Sequence, residues 1–200
     1  MGKFRTIIQA FEYYPTNVSD MALYHYVLLN YQIYIEPLND VVHCGFFNSN
    51  AIDPDAQTTE ARAYWDLNDS YRLIETGPEN NEHNYTITYG LSSSLGSNGT
   101  DSSYELTSYV QNTAYYDSLE TKNSSSLSDG IFDIKYDFKT EDSYSLNPTN
   151  QYGYLFFKVP SSSSFVSIQL LTNAKFLVGT DTWFAYDSQA GYQYDLDVNF

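Results

Sequence analysis

Histidine and cysteine stand side by side at His43 and Cys44, shortly after Asp40, and nucleophilic catalysis and metal binding use these residue types. Cys44 lies in the apolar run VVHCGFF, where a lone cysteine is typical of a small core residue. His25 and His83 are far away in the chain, and no HxH or CxxC spacing of a zinc site occurs. We therefore predict no catalytic residue, no metal site and no cofactor.

Two acidic stretches, DPDAQTTE (53–60) and DLDVN (195–199), contain the residue types that bind calcium. Neither has the spaced ligands and central glycine of an EF-hand, so solvated acidic loops are the favoured interpretation. The chain also lacks the GxSxG, P-loop and GxGxxG patterns that accompany common catalytic sites. Together these observations predict a protein that is not an enzyme.

The composition of the chain limits its partners. The formal net charge is -16, from nine basic and 25 acidic residues. Phosphate contacts require lysine and arginine, so nucleic acid is excluded as an expected partner, and broad adhesion to anionic lipid is disfavoured. Hydrophobic residues make up 42% of the 200 residues, enough for a core, and the 18% of aromatic residues favours strands.

Short segments with strand character, separated by turn chemistry, run along the whole chain. Strands are predicted within 22–36, 41–47, 62–78, 130–138, 154–159, 165–178 and 192–200. Polar loops are predicted at 48–61, 118–129 and 139–153. No segment has convincing helical periodicity, so the predicted fold is antiparallel and all-β.

The most regular segment is the ribbon at 84–117, in which apolar and small polar residues alternate. A turn is predicted at SNGTD (97–101), and each arm has about 13 residues, whereas a tilted strand needs about 9–11 to cross a bilayer. One face carries Tyr85, Ile87, Tyr89, Leu91, Leu95, Tyr104, Leu106, Val110 and Tyr116, together with Ser93 and Ala114. The other face carries Thr86, Thr88, Gly90, Ser92, Ser94, Glu105, Thr107, Tyr109, Gln111 and Thr113.

Two interpretations of this ribbon remain open. A half-buried hairpin of any soluble protein also alternates, with its polar face in water, and Ser93, Ser108 and Asn112 interrupt the apolar face. Alternatively, several copies close a barrel, in which the apolar face meets lipid and the Ser/Thr/Gly face lines an aqueous lumen. Glu105 is the one charge predicted on the polar face, whereas ordinary solvent-facing strands carry more lysine and glutamate.

The order of these elements resembles that of the bacterial β-barrel pore-forming toxins of the α-hemolysin and leukocidin type. YTITYGLSSSLG (85–96) resembles the start of their stem hairpin, and WDLNDSYRLIETGP (65–78) the strand that leads to it. GIFDIKYDF (130–138) resembles the strand that returns from the stem to the body, and SYSLNPTNQYGYLFFKV (143–159) part of the membrane-facing rim.

The resemblance implies a β-sandwich body at 1–83 and 118–200, with a stem hairpin at 84–117 that contributes to an oligomeric transmembrane β-barrel. It also implies secretion, a homo-oligomer of about seven protomers on the target-cell membrane, and a membrane lipid or surface receptor as partner. The rim residues would be Tyr144, Tyr152, Tyr154 and Lys158.

The chain also departs from the family pattern. The N-terminal latch is abbreviated to 1–20, and the tryptophan and arginine of the family's lipid head-group site have no counterpart near 143–160. Head-group recognition therefore does not carry over. Trp65 and Trp183 are predicted to be core residues.

Two other functions fit the composition. A non-enzymatic β-sandwich protein of a virion or cell surface, able to bind glycans through tyrosine platforms, is the main alternative. The first residues, MGKFRTIIQAFEYY, do not resemble a secretory signal, which favours a virion protein within that alternative. A β-sandwich glycosidase is a third possibility, because carboxylates are abundant, although no pair is singled out.

Overall fold

The computed structural model of the chain describes residues 2–13, 23–38, 56–79, 84–94, 101–111, 119–139, 143–178 and 186–199. Eleven strands and one helical turn make up these parts. The strands are β1 (Gly2–Tyr13), β2 (Tyr24–Pro37), β3 (Ala56–Asp66), β4 (Arg72–Gly77), β5 (Asn84–Ser94), β6 (Asp101–Gln111), β7 (Leu119–Asn123), β8 (Ile131–Phe138), β9 (Thr149–Pro160), β10 (Phe165–Val178) and β11 (Tyr186–Asn199). The helical turn α1 is Ser143–Leu146.

The strands form two larger sheets and one separate hairpin. The first sheet has four strands in the order β1-β2-β9-β4, and the second has five in the order β11-β10-β3-β8-β7. Every strand pair is antiparallel. β5 and β6 pair with each other in a third, two-stranded sheet. The predicted all-β antiparallel architecture is therefore confirmed.

Alternation along the strands explains how the two larger sheets stack. In β8, the side chains of Phe132, Ile134, Tyr136 and Phe138 are buried, and the residues between them are partly exposed. β9 alternates in the same way. Since successive side chains of a strand point to opposite faces, each sheet presents one apolar face, and these two faces share one core.

Aromatic side chains join the two sheets inside the core. The ring of Trp65 on β3 meets that of Phe157 on β9 edge-on, with the centroids 5.3 Å apart. The prediction that Trp65 is a core residue is confirmed, whereas Trp183 lies outside the described residues. The hydroxyl groups of Tyr31 and Tyr136 lie 2.9 Å apart, and Tyr136 donates in turn to the Tyr152 carbonyl, so buried hydroxyl groups bridge the sheets without losing their hydrogen bonds.

Gly153 on β9 makes this tyrosine bridge possible. A Cβ atom at this position would overlap the hydroxyl end of Tyr31. The close approach of the Tyr31 ring to the β9 backbone therefore requires glycine.

Several predicted loops contain regular structure. β3 begins at Ala56 and β7 spans Leu119–Asn123, inside two predicted loops; α1 and the start of β9 fall within a third. Gln57, Thr58 and Thr121 are polar yet buried. Hydrophobic alternation therefore does not predict these strand segments. The predicted strand at 62–78 is two strands, β3 and β4, which belong to different sheets.

Both ends of the chain also differ from expectation. Residues 2–13, expected as a short latch, form β1, which pairs with β2 from Gly2↔Pro37 to Tyr13↔Tyr26. The acidic stretch 195–199 is neither a calcium loop nor a solvated loop, because it belongs to β11, which confirms the strand predicted within 192–200. Among the described residues, no helix has the length and hydrophobicity needed to span a membrane.

Candidate functional site

The β5–β6 hairpin is the part of the chain whose alternation suggested a function. The two strands pair in antiparallel register from Asn84↔Gln111 to Ser94↔Asp101. The register continues through 11 residues in each strand without a bulge. The turn that joins them lies outside the described residues.

This register sorts the hairpin residues by face, because residues directly opposite each other in a sheet share a face. Tyr85 stands opposite Val110, Tyr89 opposite Leu106, and Leu91 opposite Tyr104. On the other face, Thr86 pairs with Tyr109, Thr88 with Thr107, Gly90 with Glu105, and Ser92 with Ser103. Ile87 stands opposite Ser108, so the apolar face has one polar partner there.

The sequence prediction of one lipid-facing and one lumen-facing side stays a prediction. Among the residues named for these roles, Leu95, Thr113 and Tyr116 lie outside the described residues. The backbone register brings the remaining ones together as two sets, in the grouping that alternation predicted.

Asp101 is a residue of the polar face that the sequence analysis assigned to the turn. It is the first residue of β6 and stands opposite Ser94, on the same face as Glu105. The polar face therefore has two acidic positions near the turn rather than one. The separation of Asp101 from Glu105 by an even number of residues was the signal that could have identified it.

The predicted rim residues lie mostly on β9. Tyr152, Tyr154 and Lys158 occupy alternate positions on the outer face of this strand, and Tyr144 lies in the helical turn α1 before it. The Tyr154 hydroxyl group donates to Glu75 at 2.7 Å. The Lys158 amine lies 4.2 Å from the centroid of the Tyr24 ring, within the range of a cation–π contact. A role of these residues at a membrane stays a prediction.

Ionic residues form two parallel rows on the outer face of the five-stranded sheet. In one row, Arg62, Lys135 and Lys122 stand side by side on β3, β8 and β7; in the next, Glu60, Asp137 and Glu120 do so. Like charges directly opposite each other are destabilising, so each row requires its neighbour. The sequence alone does not reveal these rows, because they depend on which strands are adjacent.

Shared ion pairs connect the two rows. The Lys135 amine lies 2.9 Å from Glu60 and 2.7 Å from Asp137, and the Lys122 amine lies 2.9 Å from Asp137. Lys175 of β10 adds a second amine 2.9 Å from Glu60. Partial burial acts to raise the pKa values of Glu60 and Asp137, but hydrogen bonds from the lysines outweigh it and lower both pKa values.

The histidine and cysteine considered for catalysis, His43 and Cys44, lie outside the described residues, as does the stretch 53–55. Within the parts of the chain that the structure describes, no group of three or more His, Cys, Asp or Glu side chains could hold a metal ion.

Comparison with known proteins shows which fold the chain has. No protein-family model matches the chain, and no curated protein matches it by sequence. A solved structure described as a pore forming protein is 11% identical, with a TM-score of 0.50, over 100% of this chain and 96% of that one. The chain has the β-sandwich fold of the leukocidin-type toxins.

Two further solved structures resemble this leukocidin-type fold more loosely. Clostridium perfringens delta-toxin has a TM-score of 0.45 at 12% identity, over 98% of this chain and 90% of that chain. The membrane-inserted form of the Clostridium perfringens NetB toxin has a TM-score of 0.46 at 10% identity, over 100% and 97%. The resemblance predicted from sequence is therefore confirmed at the level of the fold.

Proposed function

We propose that this chain is a secreted pore-forming protein, whose copies assemble on a target membrane and insert their β5–β6 hairpins into one shared β-barrel. The observation that carries this proposal is the hairpin itself. It forms a sheet separate from the sandwich, and its unbroken register groups apolar residues on one face and small polar residues on the other. The fold shared with a solved pore forming protein supports the proposal.

The dimensions of the hairpin suit a bilayer. Eleven residues at about 3.4 Å each extend about 37 Å, which a tilt of about 40° reduces to about 28 Å along the membrane normal. The lipid-facing apolar band of transmembrane β-barrels is about 25 Å tall. Each hairpin therefore has the length to cross it.

A single hairpin cannot stay in lipid, because its two outer edges would leave backbone groups without hydrogen bonds. Copies of the chain must therefore pair edge to edge until the barrel closes. Family resemblance suggests about seven protomers. In this arrangement the body comprises 1–83 and 118–200, and the segment 84–117 crosses the membrane.

The two faces of the hairpin receive different roles in the barrel. Tyr85, Ile87, Tyr89, Leu91, Tyr104, Leu106 and Val110 would face lipid, and the Ser/Thr/Gly face, with Glu105 and Asp101, would face the lumen. Tyr144, Tyr152, Tyr154 and Lys158 would contact the target lipid or surface receptor before insertion.

A matched pair of substitutions tests the proposal. Leu91→Asp places a charge on the face assigned to lipid, and Ser92→Asp places the same charge on the adjacent position of the face assigned to the lumen. A charge on the lipid face is destabilising, by up to about 2–4 kcal/mol per copy for lysine or arginine and by less for aspartate, and the cost is repeated around the ring. We expect wild type and Ser92→Asp to give discrete conductance steps in planar bilayers, and Leu91→Asp to give none.

Two outcomes would contradict the proposal. If wild type produces no conductance steps but binds glycans, the surface-adhesion alternative is favoured. If both aspartate variants retain activity equally, the hairpin does not have one face in lipid and one in water. Circular dichroism of the soluble variants controls for misfolding.

A further inference from the structure

The hairpin leaves and rejoins the sandwich through strands of two different sheets. β4, which precedes it, is the last strand of the four-stranded sheet, and β7, which follows it, is the last strand of the five-stranded sheet. No backbone ladder pairs β4 with β7. Contacts that hold these two strands together must therefore involve side chains.

Asn123, the final residue of β7, makes such a contact. Its side-chain Nδ2 donates to the Thr76 hydroxyl oxygen at 3.0 Å and to the Pro78 carbonyl oxygen at 3.0 Å. Thr76 lies near the end of β4, and Pro78 follows that strand directly. The Oδ1 atom of Asn123 accepts from the Ser125 backbone N–H at 3.0 Å. Both amide hydrogens of Asn123 thus bind the strand that leads into the hairpin, while its oxygen binds the chain beyond β7.

Asn123 joins β4 and β7, and any movement of the hairpin would act on these two strands because they flank it in the chain. An edge strand has a backbone partner on one side only, and β7 has just five residues. Lys122 ties β7 to β8 through its 2.9 Å ion pair with Asp137, but that pair lies within one sheet. The two hydrogen bonds that Asn123 Nδ2 donates cross from one sheet to the other.

We infer that Asn123 is a positioning residue that holds together β4 and β7, the two strands that precede and follow the hairpin. We call these strands the roots of the hairpin and the hydrogen bonds from Asn123 to Thr76 and Pro78 the clasp. This inference rests on the proposed function. With the clasp in place, β4 and β7 keep a constant separation when the hairpin moves. The sandwich therefore stays closed while the hairpin changes its environment.

Three variants distinguish this intersheet role of Asn123 from a role confined to the turn after β7. Asn123→Ala removes the hydrogen bonds to Thr76, Pro78 and Ser125. Asn123→Asp keeps an acceptor for Ser125 but removes the donors to Thr76 and Pro78. The matched control is Asn68→Ala, since Asn68 also accepts from a backbone N–H two residues on, that of Ser70 at 3.0 Å, but lies in the connection between β3 and β4.

Hydrogen exchange of the soluble protein measures the clasp without any membrane. Loss of two intersheet hydrogen bonds should speed amide exchange in β4 and β7 by about tenfold in Asn123→Ala and Asn123→Asp, with β2 and β9 unchanged. Asn68→Ala should leave β4 and β7 as in wild type. If Asn123→Ala does not fold, Thr76→Val, which removes one acceptor at nearly constant volume, should give about a threefold increase.

Planar-bilayer conductance then links the clasp to the hairpin. We expect both Asn123 variants to form pores more slowly than wild type and Asn68→Ala, because their arms no longer leave from a constant separation. If amide exchange in β4 and β7 is unchanged in the Asn123 variants, the clasp is overturned, whatever the conductance. It is also overturned if amide exchange in Asn123→Asp equals that of wild type. Faster exchange with wild-type pore formation overturns its positioning role. If wild type itself forms no pores, the proposed function fails, and the exchange data still decide whether the clasp exists.

Discussion

At the scale of single residues, the acidic positions of the hairpin have the clearest consequence. Glu105 stands opposite Gly90, and Asp101 stands opposite Ser94, on the same face. In a ring of copies, each position becomes a ring of carboxylates. Rings of acidic side chains favour cations in a pore. The proposed channel should therefore prefer cations mildly, and two positions should share this effect.

Neutralising these carboxylates should change ion selectivity without preventing insertion. We expect Glu105→Gln and Asp101→Asn each to lower the cation-to-anion permeability ratio by about twofold, and the double variant to lower it further. Reversal potentials under a salt gradient measure this ratio. Asp69→Asn, which removes an exposed carboxylate from the body, is the control. Equal reversal potentials for wild type and the double variant would show that this face does not line the lumen.

At the scale of elements, the two ionic rows tie β7, β8, β3 and β10 together. Lys135 is central, because its amine is shared by Glu60 and Asp137. Hydrogen bonds from lysines lower the pKa values of both carboxyl groups despite their partial burial. A carboxyl group whose pKa is lower in the folded state stabilises the fold above its unfolded pKa, near 4, and this stabilisation is lost as the pH falls through the folded pKa.

Removing the shared amine should reduce both stability and its dependence on pH. We expect Lys135→Met to lower the free energy of unfolding at pH 7 by about 1 kcal/mol. Between pH 6 and pH 3, the free energy of unfolding of this variant should fall by less than that of wild type. Urea titrations at the two pH values measure this difference. Lys139→Met, at an exposed position just after β8, should match wild type. A pH dependence equal to that of wild type in Lys135→Met would refute the coupling.

At the scale of the whole molecule, net charge governs the approach to a membrane. The chain carries a net charge of -16, and five of its nine basic residues already pair with carboxylates: Lys3, Arg62, Lys122, Lys135 and Lys175. The long-range field is therefore repulsive toward an anionic surface. If the proposed function holds, initial binding to the membrane depends on neutral groups or a receptor.

Vesicle composition tests this expectation. Replacing a third of a neutral lipid by an anionic one should slow dye release by about threefold at low salt, because the protein is repelled. At about 1 M salt the Debye length falls to about 3 Å, and the two vesicle types should release dye equally fast. Faster release from anionic vesicles at low salt would contradict this expectation.

Several features of the fold could be predicted from local patterns. Strand β8 was predicted from the alternation of Phe132, Ile134, Tyr136 and Phe138 with charged residues, and all four are buried. The two faces of β5 and β6 were separable by the same rule. In contrast, β7 was missed, because LETKN has one apolar residue and its buried Thr121 imitates a loop residue.

The sequence by itself determined the all-β class, the strand faces and the net charge, because alternation and composition are local or additive properties. Only the tertiary structure decided which strands are neighbours. That choice divides 62–78 between two sheets, places Asp101 opposite Ser94, aligns the ionic rows and brings Asn123 to Thr76. Apart from the hairpin pair Ser94–Asp101, these contacts join residues distant in sequence, and strand pairing over such distances depends on the packing of the whole core rather than on any local pattern.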